Sequence, residues 1–359
     1  MTLTLAATVG LATGGVVAAR GPAAAAPPSR SSDGAVPAPA AAALPDVPWL
    51  AQRGDGSWVF GRGEHGVLRR LPGDETGVAI RESDVASVLA GADGHSLVRF
   101  RDPATGRTIV DVAAPIWVSA GAWTSAGLVV TGYGDATMTS DGGLAVIDPA
   151  TATSTTLVAP APFSAALGQP AARGDVLVSA TGRTVAANVC GVRLCDRQVV
   201  DVATGRISRM DHGVEGFLRA VTDDAVITTD GDYRWISGHR IDDGTEVWRQ
   251  PDSALLDPVS LADGTIVGLV GSERAGWAVA AIDGSGQIRD LTTRRGRDAA
   301  PARIWRTVSS GSAIVIGRTA FEAALDAGGS VPISIITPGR WRSTTATAHL
   351  PATTTEAVR

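Results

Sequence analysis

Two cysteines and five histidines are the residues here best suited to redox or metal chemistry, and their spacing limits both. Cys190 and Cys195 flank Gly191-Val192-Arg193-Leu194. That is the length of a hairpin loop, so in an oxidising compartment a disulfide across the hairpin tip is expected, with two buried thiols as the alternative. A zinc site would need two further ligands, and no other Cys or His lies near in sequence. His65, His95, His212, His239 and His349 fall in different segments without a paired spacing, so structural or surface roles are expected. Asp223-Asp224 and Asp230-Gly231-Asp232 offer carboxylates but lack the longer ligand loop of a calcium site and read as solvated turns. No Gly-x-Ser-x-Gly nucleophile elbow stands out. No lysine occurs, so all 31 basic residues are arginine, which excludes Schiff-base, phosphate-loop and Ser-x-x-Lys chemistry. No catalytic or metal residue is assigned from the sequence, and no cofactor site can be placed on it.

Contact chemistry is better represented. Arg294, Arg295 and Arg297, with Arg303 nearby, form the densest positive patch. Such a loop either faces water or docks an anionic polymer or lipid headgroup, which arginine forks suit. Nine tryptophans are spread along the chain, and packing between sheets accounts for most of them. Trp123 and Trp277 are the candidates for stacking on a ligand such as a sugar, because each sits beside Gly or Ser rather than inside an apolar run.

The elements that must carry these residues repeat. Asp102-Pro103-Ala104-Thr105-Gly106 returns as Asp148-Pro149-Ala150-Thr151, Asp201-Val202-Ala203-Thr204-Gly205, Asp242-Asp243-Gly244-Thr245 and Asp283-Gly284-Ser285-Gly286, spaced 46, 53, 41 and 41 residues apart. In each, Asp caps its own turn and Gly supplies a positive φ. An apolar run precedes each turn and a more polar one follows. Two weaker turns, Glu64-His65-Gly66 and Thr337-Pro338-Gly339, bring the total to seven units of about 44 residues, the length of a four-stranded propeller blade. A second series of runs keeps step: Val85–Ala90, Leu128–Thr131, Val176–Ser179, Ala225–Thr228, Thr265–Val270 and Ala313–Ile316. These runs are nearly continuous in Val, Ile, Leu and Ala, as expected of strands buried on both faces. The expected fold is all-β: a β-propeller of seven blades of four antiparallel strands, with six and eight as neighbouring solutions. The one helical signal is Thr319–Ala327, nine residues before a Gly-Gly.

Length and composition agree with one such domain. The 359 residues are 44% apolar and 19% charged, with a formal net charge of −5, so nucleic acid is not an expected partner. Residues 3–19 are uncharged and largely apolar, and small residues with Ala-x-Ala sites follow. Residues 1–26 therefore read as a secretory signal or an uncleaved membrane anchor, although no basic residue precedes the apolar run. Residues 27–44 read as a Pro/Ala-rich linker, 45–350 as the propeller and 351–359 as a disordered tail.

The segment Arg240-Ile241-Asp242-Asp243-Gly244-Thr245-Glu246-Val247-Trp248 resembles the repeat of pyrroloquinoline-quinone-type β-propellers. The Asp102, Asp148 and Asp201 turns resemble degenerate copies of it without the Trp. Dehydrogenases of that family hold the quinone with a calcium site and a disulfide of adjacent cysteines. Cys190 and Cys195 are not adjacent, and no Glu/Asn/Asp set matches residue by residue, so neither quinone nor calcium is expected here. The resemblance implies a non-catalytic, exported, monomeric binding or scaffold module with an unidentified protein or cell-envelope ligand. The alternatives are a propeller enzyme, such as a quinoprotein dehydrogenase or a carbohydrate-active hydrolase or lyase, and a membrane-tethered sensor.

Overall fold

In the computed structural model the apolar runs become strands. The structure describes residues 48–357, apart from 53–55, 63–68, 82, 138–139, 142, 163–172, 191–194, 210–215, 231, 233, 262, 273, 293–301, 307–312, 318–322, 324–328, 337–342 and 351–355. The expected signal or anchor, the linker, the Arg294–Arg297 patch and nearly all of the Thr319–Ala327 helix lie outside the described residues.

The first sheet holds β1 (Pro48–Gln52), β2 (Trp58–Arg62) and β3 (Arg69–Arg70). The second holds β4 (Thr76–Ile80), β5 (Val85–Ala90), β6 (Ser96–Arg101) and β7 (Thr108–Ala113). The third holds β8 (Trp117–Thr124), β9 (Gly127–Tyr133), β11 (Leu144–Asp148) and β12 (Thr153–Val158), with a two-stranded ribbon of β10 (Ser140–Asp141) and β13 (Ala161–Pro162) beside it in sequence. The fourth is β14 (Arg173–Val178), β15 (Thr184–Cys190), β16 (Cys195–Asp201) and β17 (Ile207–Arg209). The fifth is β18 (Phe217–Val221), β19 (Ala225–Thr229), β20 (Trp235–Arg240) and β21 (Glu246–Pro251). The sixth is β22 (Ala254–Ser260), β23 (Ile266–Ser272), β24 (Gly276–Ile282) and β25 (Ile288–Asp290). The seventh is β26 (Ala302–Arg306), β27 (Ala313–Gly317), β28 (Gly329–Ile336) and β29 (Ser343–Leu350). Finally β30 (Glu356–Ala357) returns to the first sheet and pairs in parallel with β3, Arg69 opposite Glu356 and Arg70 opposite Ala357. The stretch expected to be a disordered tail therefore contains a strand. Seven four-stranded sheets result among the described residues, six of them wholly antiparallel.

Their strands are apolar throughout because both faces are covered. Along β9, Leu128 and Val130 pack with Phe100 and Val98 of the second sheet, while Val129 between them packs with Val185 and Val200 of the fourth. In β19, Val226 faces the fourth sheet and Ile227 the sixth. Successive side chains point to opposite faces, so a sheet lying between two others must be apolar at every position. Outer strands obey the opposite rule: β12 and β21 are largely exposed. First strands of consecutive sheets touch, from β1 against β4 through to β22 against β26. Sheets stacked side by side in this way form a β-propeller.

The repeated turns close the outer hairpins as expected. Asp102 Oδ1 accepts from the backbone N–H of Ala104 and Thr105, each at 2.8 Å, and Gly106 donates to the Asp102 carbonyl at 2.8 Å with φ +73°. Asp201 and Gly205 repeat this. In the fifth sheet the turn starts two residues earlier than its sequence suggests. Gly244 donates to the carbonyl of Arg240, which stands where the other copies have Asp, while Asp242 pairs with Arg240 and Asp243 caps Thr245. Backbone N–H groups of Thr105, Ala150, Thr204 and Thr245 hold the Asp102, Asp148, Asp201 and Asp243 carboxyls below the usual range.

Candidate functional site

Five first strands share an irregularity in their pairing. Pairing with the second strand slips between Gly77 and Ala79 in β4, Val118 and Ala120 in β8, Arg173 and Val176 in β14, Leu218 and Ala220 in β18, and Leu256 and Val259 in β22. A β-bulge inserts a residue that belongs to neither face. In β18, Leu218 packs toward the fourth sheet and Ala220 toward the sixth. Arg219 is the inserted residue between them, so its side chain is left to point along the open inner edge.

These inner edges enclose a cavity of about 310 Å³, lined by residues 78–80, 121–123, 176–178, 219–221 and 258–260. Each of the five strands contributes three consecutive residues. The lining is mostly Val, Ile, Ala and Leu, but it includes Trp123, Arg219 and Ser260. Ser260 Oγ donates to the Val221 carbonyl at 2.7 Å, tying the fifth sheet to the sixth. Trp123 Nε1 and Arg219 Nε are buried, and neither has a hydrogen-bond partner. Buried donors are nearly always paired in folded proteins, so two orphans in one cavity mark it out.

Trp123 is held rigidly. Phe100 lies against it with ring centroids 5.8 Å apart, and the Arg81 guanidinium stacks on its ring, 3.8 Å from the centroid. Asp84, buried, binds that guanidinium at 2.6 Å and also accepts from Ser83. The charge of Arg81 is thereby matched locally.

The other sequence candidates fall elsewhere. Trp277, expected on a loop face, lies in β24 and packs against Leu261, Val267, Leu269, Val279 and Ala281. Trp277 is only partly buried there, and it does not line the cavity. Arg294, Arg295 and Arg297 are outside the described residues, so the patch has no placement. Cys190 and Cys195 end β15 and β16 as directly opposed partners, with their side chains outside the described residues. Asp230 and Asp232 both pair with Arg234, and Asp223 accepts from Thr181 of the neighbouring sheet at 2.7 Å. Among the described residues no three His, Cys, Asp or Glu side chains cluster to hold a metal.

His239 is buried within the fifth sheet. Its Nδ1 lies 3.3 Å from the Gly244 carbonyl, and its Nε2 lies 2.8 Å from Ser237 Oγ and 3.3 Å from Thr228 Oγ1. A carbonyl only accepts, so Nδ1 carries the proton and Nε2 accepts from a hydroxyl. Burial pushes this imidazole below its ordinary value. Glu75 is buried at the head of β4, where it accepts from Arg101 at 2.6 Å, Arg99 at 3.0 Å and Ser87 at 2.6 Å. Burial alone would raise its carboxyl, but the Arg101, Ser87 and Arg99 hydrogen bonds outweigh this and hold it below the ordinary value. Neither group lines the cavity.

Arg219 was not singled out from the sequence. The signal was there: a lone arginine inside Phe217-Leu218-Arg219-Ala220-Val221 conflicts with burial on both faces unless a bulge removes it.

No protein-family model matches the chain, and no curated protein matches it. Solved structures do. A structure from work on two prolyl endopeptidases aligns with 85% of this chain and 50% of its own, at 13% identity and a TM-score of 0.52. Prolyl oligopeptidase B from Galerina marginata, bound to a 25mer macrocyclization substrate, aligns over 85% of this chain and 52% of its own, at 11% identity and 0.51. A candidate 6-phosphogluconolactonase from Bacteroides uniformis aligns over 86% of this chain and 97% of its own, at 12% identity and 0.50. The chain spans about half the length of the two prolyl peptidases. At these identities the likeness is one of fold, and that fold is the β-propeller.

Proposed function

We propose that this chain is a non-catalytic, extracytoplasmic binding propeller that takes a small molecule into its central cavity. The observation that carries this reading is a cavity to which three consecutive residues of each of five inner strands contribute, with two residues on its lining, Trp123 and Arg219, that carry buried, unpartnered nitrogens. The size falls at the small end of ligand pockets, about 300–1,000 Å³. The described lining holds no carboxylate or imidazole to move a proton, which favours binding over catalysis. The repeat's resemblance to quinone-type propellers and the leader-like residues 1–26 favour an exported member of that wider group, acting as a monomer. Export also favours a disulfide between Cys190 and Cys195, whose backbones already face each other.

The test plugs the cavity without touching the sheet interfaces. Arg219→Trp places a large side chain at the bulge. A small-molecule collection screened by thermal shift should yield compounds that stabilise the full chain and leave Arg219→Trp unmoved. Compounds that stabilise both equally would show that the ligand site lies elsewhere.

A further inference from the structure

We propose that the Asp257–Pro258 peptide bond is a self-cleavage site, opened by the side-chain carboxyl of Asp257. The sequence holds three Asp-Pro pairs, Asp102-Pro103, Asp148-Pro149 and Asp257-Pro258. In the first two the side chain is tied into an outer turn. Asp102 accepts from the N–H of Ala104 and Thr105, and Asp148 from the N–H of Ala150 and the hydroxyl of Thr151. These bonds favour the ionised carboxylate in both. Asp257 stands in the bulge of β22, where pairing slips between Leu256 and Val259, and it holds φ +46°. A left-handed bulge position ordinarily belongs to glycine. The residue before a proline prefers a φ of about −120°, so two steric conflicts meet at Asp257. Aspartate enters the left-handed region when its side chain bonds locally, yet among the described residues nothing bonds the Asp257 carboxyl. The residue is exposed while Leu255 and Ser260 of the same strand are buried, so water reaches it.

The protonated carboxyl adds through one oxygen to the Asp257 carbonyl carbon. The C–N bond to Pro258 breaks, and the carboxyl proton passes to the proline nitrogen. A five-membered cyclic anhydride remains on Asp257, and water opens it to two carboxyls, so one water is consumed overall. Breaking the bond frees the backbone from the strain stored in the bulge. Both sides stay anchored, Leu255 opposite Val270 and Leu256 opposite Leu269 before the cut, Val259 opposite Val267 and Ser260 opposite Ile266 after it. The cut sheet therefore stays assembled, with a new proline amino terminus on the cavity lining.

Mass spectrometry of the purified full chain, held in mildly acidic buffer below its melting temperature, decides this. One fragment ending at Asp257 and one beginning at Pro258 are expected. They should form at least tenfold faster than cuts after Asp102 and Asp148 in the same sample, and should co-elute until denatured. In urea the three bonds should break at rates within a few fold of one another, because unfolding releases the bulge. Asp257→Asn and Asp257→Glu should leave the bond intact, with the melting temperature of each variant confirming that it folds. Cleavage after Asp257 no faster than after Asp102 and Asp148 overturns the proposal. So does cleavage undiminished in Asp257→Asn, or a preference for Asp257 that persists unchanged in urea.

Discussion

The indole of Trp248 in the fifth sheet lies against the backbone of Gly286 in the sixth. A Cβ on Gly286 would come within 2.3 Å of Trp248 Cδ2, and Gly286 holds φ +80°. Gln250 of the same strand donates to the Gly286 carbonyl at 2.9 Å. The Trp of one repeat is thus seated on the turn glycine of the next. Gly286→Ala should cost about 2–4 kcal/mol from overpacking and left-handed backbone together. Part of that cost should vanish in a Trp248→Ala background, so urea unfolding of the four proteins in the cycle should show coupling rather than additivity.

Ala152 occupies the place in its turn that Gly106, Gly205 and Gly244 occupy in theirs, and it holds φ +55° without the freedom of glycine. Left-handed backbone costs an L-residue about 1–2 kcal/mol, while a glycine gives back about 0.4–1 through the unfolded chain. Ala152→Gly should therefore raise stability by about 0.5–1 kcal/mol, and Gly106→Ala should lower it by a similar amount, both read from denaturant midpoints.

Burial keeps His239 neutral in the folded protein, and its hydrogen bonds to Gly244 and Ser237 fit that form. Its folded pKa lies below 6.5, the ordinary value. Between the two, the unfolded chain binds the extra proton, so the free energy of unfolding falls as pH drops below about 6.5, by at most about 1.4 kcal/mol per unit for one proton. Above 6.5 neither state is protonated and this contribution is fully present. Stability measured at pH 7.5 and 5.5 should fall less in His239→Gln than in the parent.

Glu75 and Arg101 are both almost completely buried and share two hydrogen bonds. Removing one partner leaves the other charge desolvated. Arg101→Met should cost about 3 kcal/mol or more, and Glu75→Leu combined with Arg101→Met should recover part of that loss. Because the Glu75 carboxyl is held low, its contribution is present above pH 4.5, its ordinary value, and is lost as the pH falls through the folded value.

The repeats were legible because a turn needs particular residues at particular places, and Asp, Thr and Gly cannot easily be exchanged there. Burial on both faces was legible because it removes the polar half of the usual alternation, as in β9 and β23. Trp123 and Trp277 carry the same sequence signal, yet only Trp123 lines the cavity, since flanking Gly and Ser do not reveal which surface an indole meets. The fifth turn was misaligned by two residues because Asp242 mimics the capping Asp whose place Arg240 fills. Arg219 went unnoticed because a bulge is a property of pairing, set by which residues stand across from Leu218 and Ala220 and not by the run itself.

The pairing of β30 with β3 has a consequence for how the protein is made. During synthesis the first sheet emerges early but lacks its outer member until Glu356 and Ala357 appear. Through that whole interval β3 presents unsatisfied amide and carbonyl groups, an edge open to other chains. The first sheet is completed late, by a strand that lies nearly 300 residues further along the chain than its partner.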